Sequence, residues 1–403
     1  MIKYHVGVDV GKERHHISVR VLSKDTYCKA FSISNDRDGF TEFISSLQKL
    51  SVDKSDFLIG IEACPYGINL SYFLMGMGFN LVEVNPFRVG QFRKAEGKKA
   101  KTDRIDARSI AAILSLGDHK SLSIPDPVMD NLKELTRLRT NLVQERATAI
   151  IHLKEALSTL FPEFSRVFRQ VDSAASLALL VAYPGPEPII HAGEEKVAAI
   201  LSLASPHRMG MGMARRIVEA AQGTIGVIQR QPAFGIRICI LAKRILSLQS
   251  TVKELDEQIT LLFDSLPCKP QDFPMGQAPS IAAIVSEIGD IQRFPTLKKF
   301  LSHLGWCPRS FQTGNYRQEH PKMSHAGNRY IRRLIWMLSI SAIKRLPTCR
   351  EYFRRRVQEG KAKMHILVAV GRKLLSMLYA ILKRGVRYDP NWEENSRLAL
   401  AKR

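Results

Sequence analysis

His5-Val-Gly-Val-Asp-Val-Gly-Lys-Glu-Arg-His-His-Ile-Ser-Val-Arg-Val-Leu22 holds two apolar runs, separated by the turn-like Gly11-Lys-Glu-Arg14. Runs this rich in β-branched residues read as strands, residues 5–10 and 16–22. Asp9 stands in the middle of the first, among apolar neighbours. A buried carboxylate there is expensive unless a cation or a strong donor meets it. The bland alternative is an acid near a strand end that accepts backbone bonds. His15 and His16, just after the turn, read as solvent-facing on the second strand.

Outward from this pair the chain keeps alternating. A third strand is expected around residues 27–33 and a helix over 38–50. Phe57-Leu-Ile-Gly-Ile-Glu62 is a fourth strand, residues 66–77 a helix, and Phe79-Asn-Leu-Val-Glu-Val84 a fifth strand. Thr102 can cap a last helix that stops at Gly117. Three strands, helix, strand, helix, strand, helix is the ribonuclease-H-like order, an α/β domain over residues 1–124. In that fold the first and fourth strands are neighbours and the last helix packs across their ends. Asp9, Glu62, Asp103 and Asp106 therefore converge, the last two lying one helical turn apart on one side. Four acids so close repel unless cations neutralise them. Mg²⁺, in a pair of ions, suits such an oxygen-rich site and the chemistry of phosphodiesters.

The basic residues point the same way. Sixty Lys and Arg against 38 Asp and Glu leave a net charge of +22 on 403 residues. Between Pro321 and Arg403, 20 basic residues face 5 acidic ones, so that segment alone carries +15. A polyanion is the natural partner, nucleic acid before a membrane surface. Lys98, Lys99, Lys101, Arg104 and Arg108 surround Asp103 and Asp106, and are assigned to the nucleic-acid backbone. Arg309, Arg317, Arg329, Arg332 and Arg333 are assigned to phosphate contacts further along. The six cysteines form no C-x-x-C pair, which argues against a zinc site and a disulfide framework. The histidines form no spaced set and are given no metal. The start of the chain reads as strand rather than leader, and no apolar run approaches the ~18 residues of a membrane span. The expected location is the cytosol.

Residues 125–270 read as a helical region. Ile238, Leu241, Ile245, Leu248, Val252, Leu255, Ile259, Leu262 and Leu266 keep a 3-4 spacing that argues for a coiled coil, with a long core helix as the alternative. Residues 271–403 read as a basic, mostly helical domain. It opens with a turn–helix–turn over Pro274-Met-Gly276 to Gly289-Asp290, similar to the helix-hairpin-helix device. Trp306 and Trp336 are assigned to core packing ahead of base stacking, and Glu83 to the surface.

The chain resembles the DEDD transposases of the insertion-sequence 110 family, recombinases directed by a bridge RNA. The matching segments are Val6-Gly-Val-Asp-Val-Gly-Lys12, Gly60-Ile-Glu62, Lys101-Thr-Asp-Arg-Ile-Asp-Ala107 and Ser286-Glu-Ile-Gly-Asp-Ile-Gln-Arg-Phe294. Gly305-Trp-Cys-Pro308 and Ser324-His-Ala-Gly-Asn-Arg-Tyr-Ile-Arg-Arg333 match as well. The resemblance implies a RuvC-like domain carrying the acidic quartet as metal ligands, a coiled-coil insertion, and a C-terminal domain supplying a nucleophilic serine. It also implies a covalent protein–DNA intermediate, donor and target DNA paired to a guide RNA, and a dimer or tetramer in which subunits share a composite site. This chain departs at the nucleophile: Ser310-Phe-Gln-Thr-Gly314 puts Thr313 where the serine belongs, with Ser310 the nearby alternative. Two rival functions stay open, a RuvC-type junction nuclease using water and a catalytically inactive nucleic-acid-binding protein.

Overall fold

Continuous burial along β-branched runs such as residues 5–8 and 57–61 marks strands covered on both faces, in an N-terminal unit, Met1–Pro125; a second unit spans Asp126–Arg403. The computed structural model describes residues 2–97, 100, 102–117, 120–122, 126–205, 210–267, 273–307, 312–313, 316–317, 323, 327–385 and 387–388.

The first unit carries β1 (Tyr4–Val10), β2 (Arg14–Val21), β3 (Thr26–Tyr27), β4 (Phe31–Ser34), α1 (Arg37–Gln48) and β5 (Phe57–Glu62). There follow α2 (Ile68–Gly76), β6 (Asn80–Val84), α3 (Pro86–Ala95), α4 (Asp103–Ile113) and β7 (Lys120–Ser121). β1 pairs antiparallel with β2 and parallel with β5, and β5 pairs parallel with β6. The sheet order is β3-β2-β1-β5-β6-β7, with β4 also on β2. The expected order of elements is present, and the mixed sheet with flanking helices fits a ribonuclease-H-like layout. Three details differ. The third strand is broken into β3 and β4, which lie one after the other along the same edge of β2. A helix, α3, follows β6, and the short β7 pairs antiparallel with β6.

Strand periodicity sorts the side chains onto two faces. Val6, Val8, Ile17, Val19, Ile59 and Ile61 pack with Phe40, Phe43 and Leu47 of α1 and Leu70 and Leu74 of α2. Each fully buried side chain of this size contributes about 1.5–3 kcal/mol. On the opposite face Leu58, Val82 and Val84 meet Val89 of α3 and Ile110 and Ile113 of α4. Gly7 lets α4 lie directly on β1, because a Cβ there would sit 2.1 Å from the Ala107 carbonyl oxygen and 2.4 Å from the Ala111 nitrogen.

The second unit is helical: α5 (Pro127–Leu160), α6 (Phe164–Val167), α7 (Ala174–Ala182), α8 (Pro186–Ala204), α9 (Met211–Gln222) and α10 (Gln231–Asp264). After these come α11 (Ala278–Ile288), α12 (Leu297–His303), β8 (Gln312–Thr313), β9 (Tyr316–Arg317), α13 (Arg329–Arg345), α14 (Pro347–Gln358) and α15 (Lys363–Arg384). α5 and α10 run antiparallel: Arg139 pairs with Asp256, Glu145 with Arg244 and Glu155 with Arg237. Ile238 and Ile245 of the heptad seam enter a core with Leu153, Leu157 and Leu160 of α5 and Leu177 and Leu180 of α7. Ile259 enters another with Leu132 of α5 and residues of α11, α13 and α15. These seam positions are thus filled within one chain. α15 is long and apolar enough to cross a membrane by length and composition. The sequence reading missed it because Arg372-Lys373 interrupts the run. Its Val370, Leu374, Leu375, Leu378 and Ile381 are buried in the helical cores of this unit.

Candidate active site

Asp9 lies near the carboxyl end of β1 and Glu62 at that of β5, one step past the Val8–Ile61 pair. Period-two geometry puts Asp9 on the face of Gly7, and Glu62 on the face of Gly60, where a Cβ would meet Ile110 and Leu114 at 3.0 Å. Both acids therefore point to the side that α4 covers. α4 begins at Thr102, whose hydroxyl oxygen accepts from the Ile105 nitrogen at 3.3 Å. Its first turn carries Asp103 and Asp106.

The four carboxylates differ in environment. Asp103 is largely exposed. Asp106 is buried, and Arg93 Nη1 of α3 donates to its Oδ1 at 2.5 Å. Asp9 is half-buried between the strand ends and α4. Burial, then a side-chain hydrogen bond with Glu62, then the charges of Glu62, Asp103 and Asp106 push its carboxyl up to about 8. A carboxyl that keeps its proton at neutral pH marks an excess of negative charge that a cation would relieve.

His16 joins this cluster. Asp9, His16 and Asp103 each offer one donor atom, all within 4.8 Å of one another. His16 Nδ1 lies 3.5 Å from Asp103 Oδ2. The donor set, carboxylates and an imidazole at that spacing, fits a divalent cation. This corrects the expectation that His15 and His16 face solvent, and it sets His16 among the groups that could hold a metal ion. His15 is fully buried, 6.1 Å from the Phe40 ring, and burial lowers its pKa. The signal was available in the sequence. If Ile17 and Val19 face the core, His15 shares their face and His16 faces α4.

Among the assigned cations, Arg104 is exposed on α4, and Arg108 lies over the Tyr27 ring at 4.2 Å. Arg329 and Arg333 are exposed on the first turns of α13 and Arg332 is half-buried. Lys98, Lys99, Lys101, Arg309 and Ser310 lie outside the described residues. Thr313 is on β8, paired with Tyr316 of β9, and Arg317 is on β9 opposite Gln312. Glu83 is exposed. Trp306 is core: its Nε1 donates to the Val368 carbonyl at 3.0 Å, and its ring rests on Gly371.

The C-terminal motifs join in a frame the sequence reading did not assign. The buried Glu287 accepts from Arg137 Nε and Nη2, at 2.5 and 2.9 Å, and from Asn328 Nδ2 at 2.6 Å. Asn328 Oδ1 in turn caps α13, accepting from the Tyr330 and Ile331 nitrogens. Gly327, at φ +100°, comes so close to Gly305 that a Cβ would lie 2.5 Å from the Gly305 nitrogen. Gly305 and Gly327 flank the segment that contains Thr313.

Two family models cover both ends of the chain. A DEDD transposase model of the IS110 type matches residues 6–162, and the transposase IS116/IS110/IS902 family model matches residues 277–354. The chain belongs to the IS110 family of DEDD transposases. The uncharacterized 44.8 kDa protein of insertion element IS116 from Streptomyces clavuligerus is 25% identical to this transposase over 96% of each chain. The pilin gene-inverting protein of Moraxella bovis is 21% identical, over 98% of this chain and all of its own. Among solved structures, T. thermophilus RuvC in complex with a Holliday junction substrate matches with a TM-score of 0.23 and 12% identity. That match covers 30% of this chain and 99% of RuvC.

Proposed function

We propose that this transposase is an RNA-guided DNA recombinase, which cuts and exchanges DNA strands through a covalent protein–DNA intermediate. The observation that carries the reading is the crowding of Asp9, Glu62, Asp103 and Asp106 at one corner of the sheet, with Asp9 pushed up to about 8. Asp9, Glu62, Asp103 and Asp106 would hold two divalent cations, Mg²⁺ in the family's pattern. Bound there, such ions would neutralise the cluster and polarise a phosphodiester.

The hydroxyl of Thr313 is the nucleophile in this reading. Its Oγ1 forms a new ester bond to phosphorus, one P–O bond to a deoxyribose breaks, and the displaced sugar oxygen leaves as a hydroxyl. Thr313 loses its proton to solvent and the departing sugar oxygen takes one up from solvent, so protons balance. Attack by the hydroxyl of another strand reverses the step and frees Thr313. The number of phosphoester bonds is conserved, so no outside energy source is needed. Ser310 is the alternative donor. The extra methyl of threonine crowds an in-line approach, which makes Thr313→Ser an expected gain in rate.

Guidance by RNA, pairing with donor and target DNA, and assembly as a dimer or tetramer rest on family membership and on the net charge of +22. The composite site would join the acids of one subunit to the hydroxyl of another. In this reading the domain that carries the four acids spans residues 1–124, a coiled-coil helical region 125–270 and the nucleophile domain 271–403. The protein works in the cytosol, at the nucleoid. The Moraxella relative's name describes gene inversion, which is also an exchange of DNA strands.

The test is incubation of the full chain with Mg²⁺, a nicked suicide DNA and RNA transcribed from the flank of the element. A protein–DNA adduct that survives denaturation and is absent in Thr313→Ala supports the recombinase. Loss in Ser310→Ala instead moves the nucleophile there. Cleavage without adduct makes the protein a water-using nuclease, and binding alone makes it an inactive relative.

A further inference from the structure

We propose that His16 supplies a nitrogen ligand to a divalent cation held with Asp9 and Asp103, and so tilts the site toward transition ions such as Mn²⁺ over Mg²⁺. The proposal rests on the reading of this corner as a cation site. It adds a ligand from β2 to an all-carboxylate quartet.

Three observations converge. In the β1–β2 register Asp9 stands directly opposite His16, and directly paired residues carry their side chains on one face about 5 Å apart. Ile17 and Val19 anchor the other face in the core, which fixes the imidazole toward α4. There its Nδ1 is 3.5 Å from Asp103 Oδ2, and the donors of Asp9, His16 and Asp103 span no more than 4.8 Å. Ligands about 2.1 Å from a shared ion are about 3 Å apart when adjacent and about 4.2 Å when opposite, so a small closure suffices.

The fourth acid is differently engaged. Arg93 already neutralises Asp106 at 2.5 Å, with both side chains largely buried. One carboxylate of the quartet thus has a fixed counter-charge on its Oδ1, and a further donor from β2 would tighten the hold on an ion in the corner. The imidazole of His16 is the donor within reach. Mg²⁺ favours oxygen in near-ideal octahedral geometry, whereas a nitrogen donor favours the later divalent ions of the first transition row.

The competing role for His16 is that of a protonated partner of Asp103. The two roles predict opposite responses. As a ligand, His16 must be neutral, and its removal weakens ion binding. As a cation, it competes with the metal, and its removal strengthens binding.

The experiment uses the full-length protein with Mn²⁺ alone, read by calorimetry and by pulsed electron paramagnetic resonance for nitrogen coupled to the bound ion. Expected are a nitrogen coupling in the native protein and its loss in His16→Gln. A drop of about tenfold or more in Mn²⁺ affinity should accompany that loss, with a smaller change for Mg²⁺. His16→Asp should restore binding with the preference reversed toward Mg²⁺. Thermal melts without metal check that both variants fold, and an unfolded His16→Gln leaves the native spectrum and His16→Asp to decide. Mn²⁺ bound without nitrogen coupling, or unchanged or tighter binding in folded His16→Gln, overturns the ligand while keeping the cation site. If the native protein binds neither ion, the cation site itself falls.

Discussion

Among single residues, Asp9 ties the fold to pH. Its folded-state pKa, about 8, lies far above the ordinary carboxylate value of 3.8. The folded protein therefore holds a proton that the unfolded chain releases between those two limits. The stability this contributes is fully present below about pH 4 and is lost as the pH climbs through about 8. Metal-free protein should thus melt at progressively lower temperature across that interval, and Asp9→Asn should flatten the slope. A divalent cation competes with the same proton, so the rise in melting temperature on adding Mg²⁺ or Mn²⁺ should be largest at the alkaline end. A slope unaffected by Asp9→Asn would assign the titration elsewhere. Gly7, two residues upstream, is tested by volume. An alanine methyl would meet the backbone of α4 at 2.1 and 2.4 Å, and a backbone cannot swing aside as a side chain does. Gly7→Ala should cost about 3 kcal/mol in a urea titration, at the upper end for overpacking. By lifting Asp103 away from Asp9 it should also weaken ion binding.

Elements show what local pattern can and cannot announce. Five strand runs and the Thr102 cap were legible because each is written in neighbouring residues: β-branched alternation, a threonine three positions before Ile105, Gly117 at the stop. α3 was missed because its apolar residues are sparse, with only Val89 buried, and its Arg93 acquires meaning only when α3 packs beside α4. His16 differs: strand parity with Ile17 and Val19 already puts it on the α4 face, and only its closeness to Asp103 needs the folded sheet. The heptads of α10 announced a partner helix without saying whose. The structure supplies α5 of the same chain, in antiparallel pairing fixed by Arg139–Asp256 and Glu145–Arg244. Ile245 is fully buried between α10 and its own chain's helices. Ile245→Ala should lower stability by about 2–5 kcal/mol, as core truncations do, and leave the concentration dependence of self-association unchanged. A seam shared between subunits would give the reverse: a folded protein that dissociates at higher concentration in sedimentation.

The whole molecule is governed by its charge. A net +22, with +15 in residues 321–403, makes backbone phosphate the dominant source of affinity for DNA or RNA. The acids at the corner of the first sheet oppose that affinity and serve chemistry instead, so binding and reaction should separate cleanly. Asp103→Ala should keep nucleic-acid affinity within about threefold of native, since lysine and arginine supply most of it, while abolishing strand cleavage. The arginines of α13 should behave oppositely. Arg329 and Arg333 are exposed one turn apart, at an end of the helix where no acid shares the first turn. If each meets one phosphate, replacing both by alanine should reduce the slope of log affinity against log salt by about 2. The loss should be nearly uniform across DNA sequences, because phosphate contacts position a duplex without reading it. For a native footprint of about six to ten phosphates, affinity should fall about 10³–10⁵-fold between about 50 and 200 mM salt. Filter binding at four salt concentrations measures all of this. A native slope near zero would remove nucleic acid as the partner of the basic segment, and a slope unmoved by the double replacement would place the contact on another face.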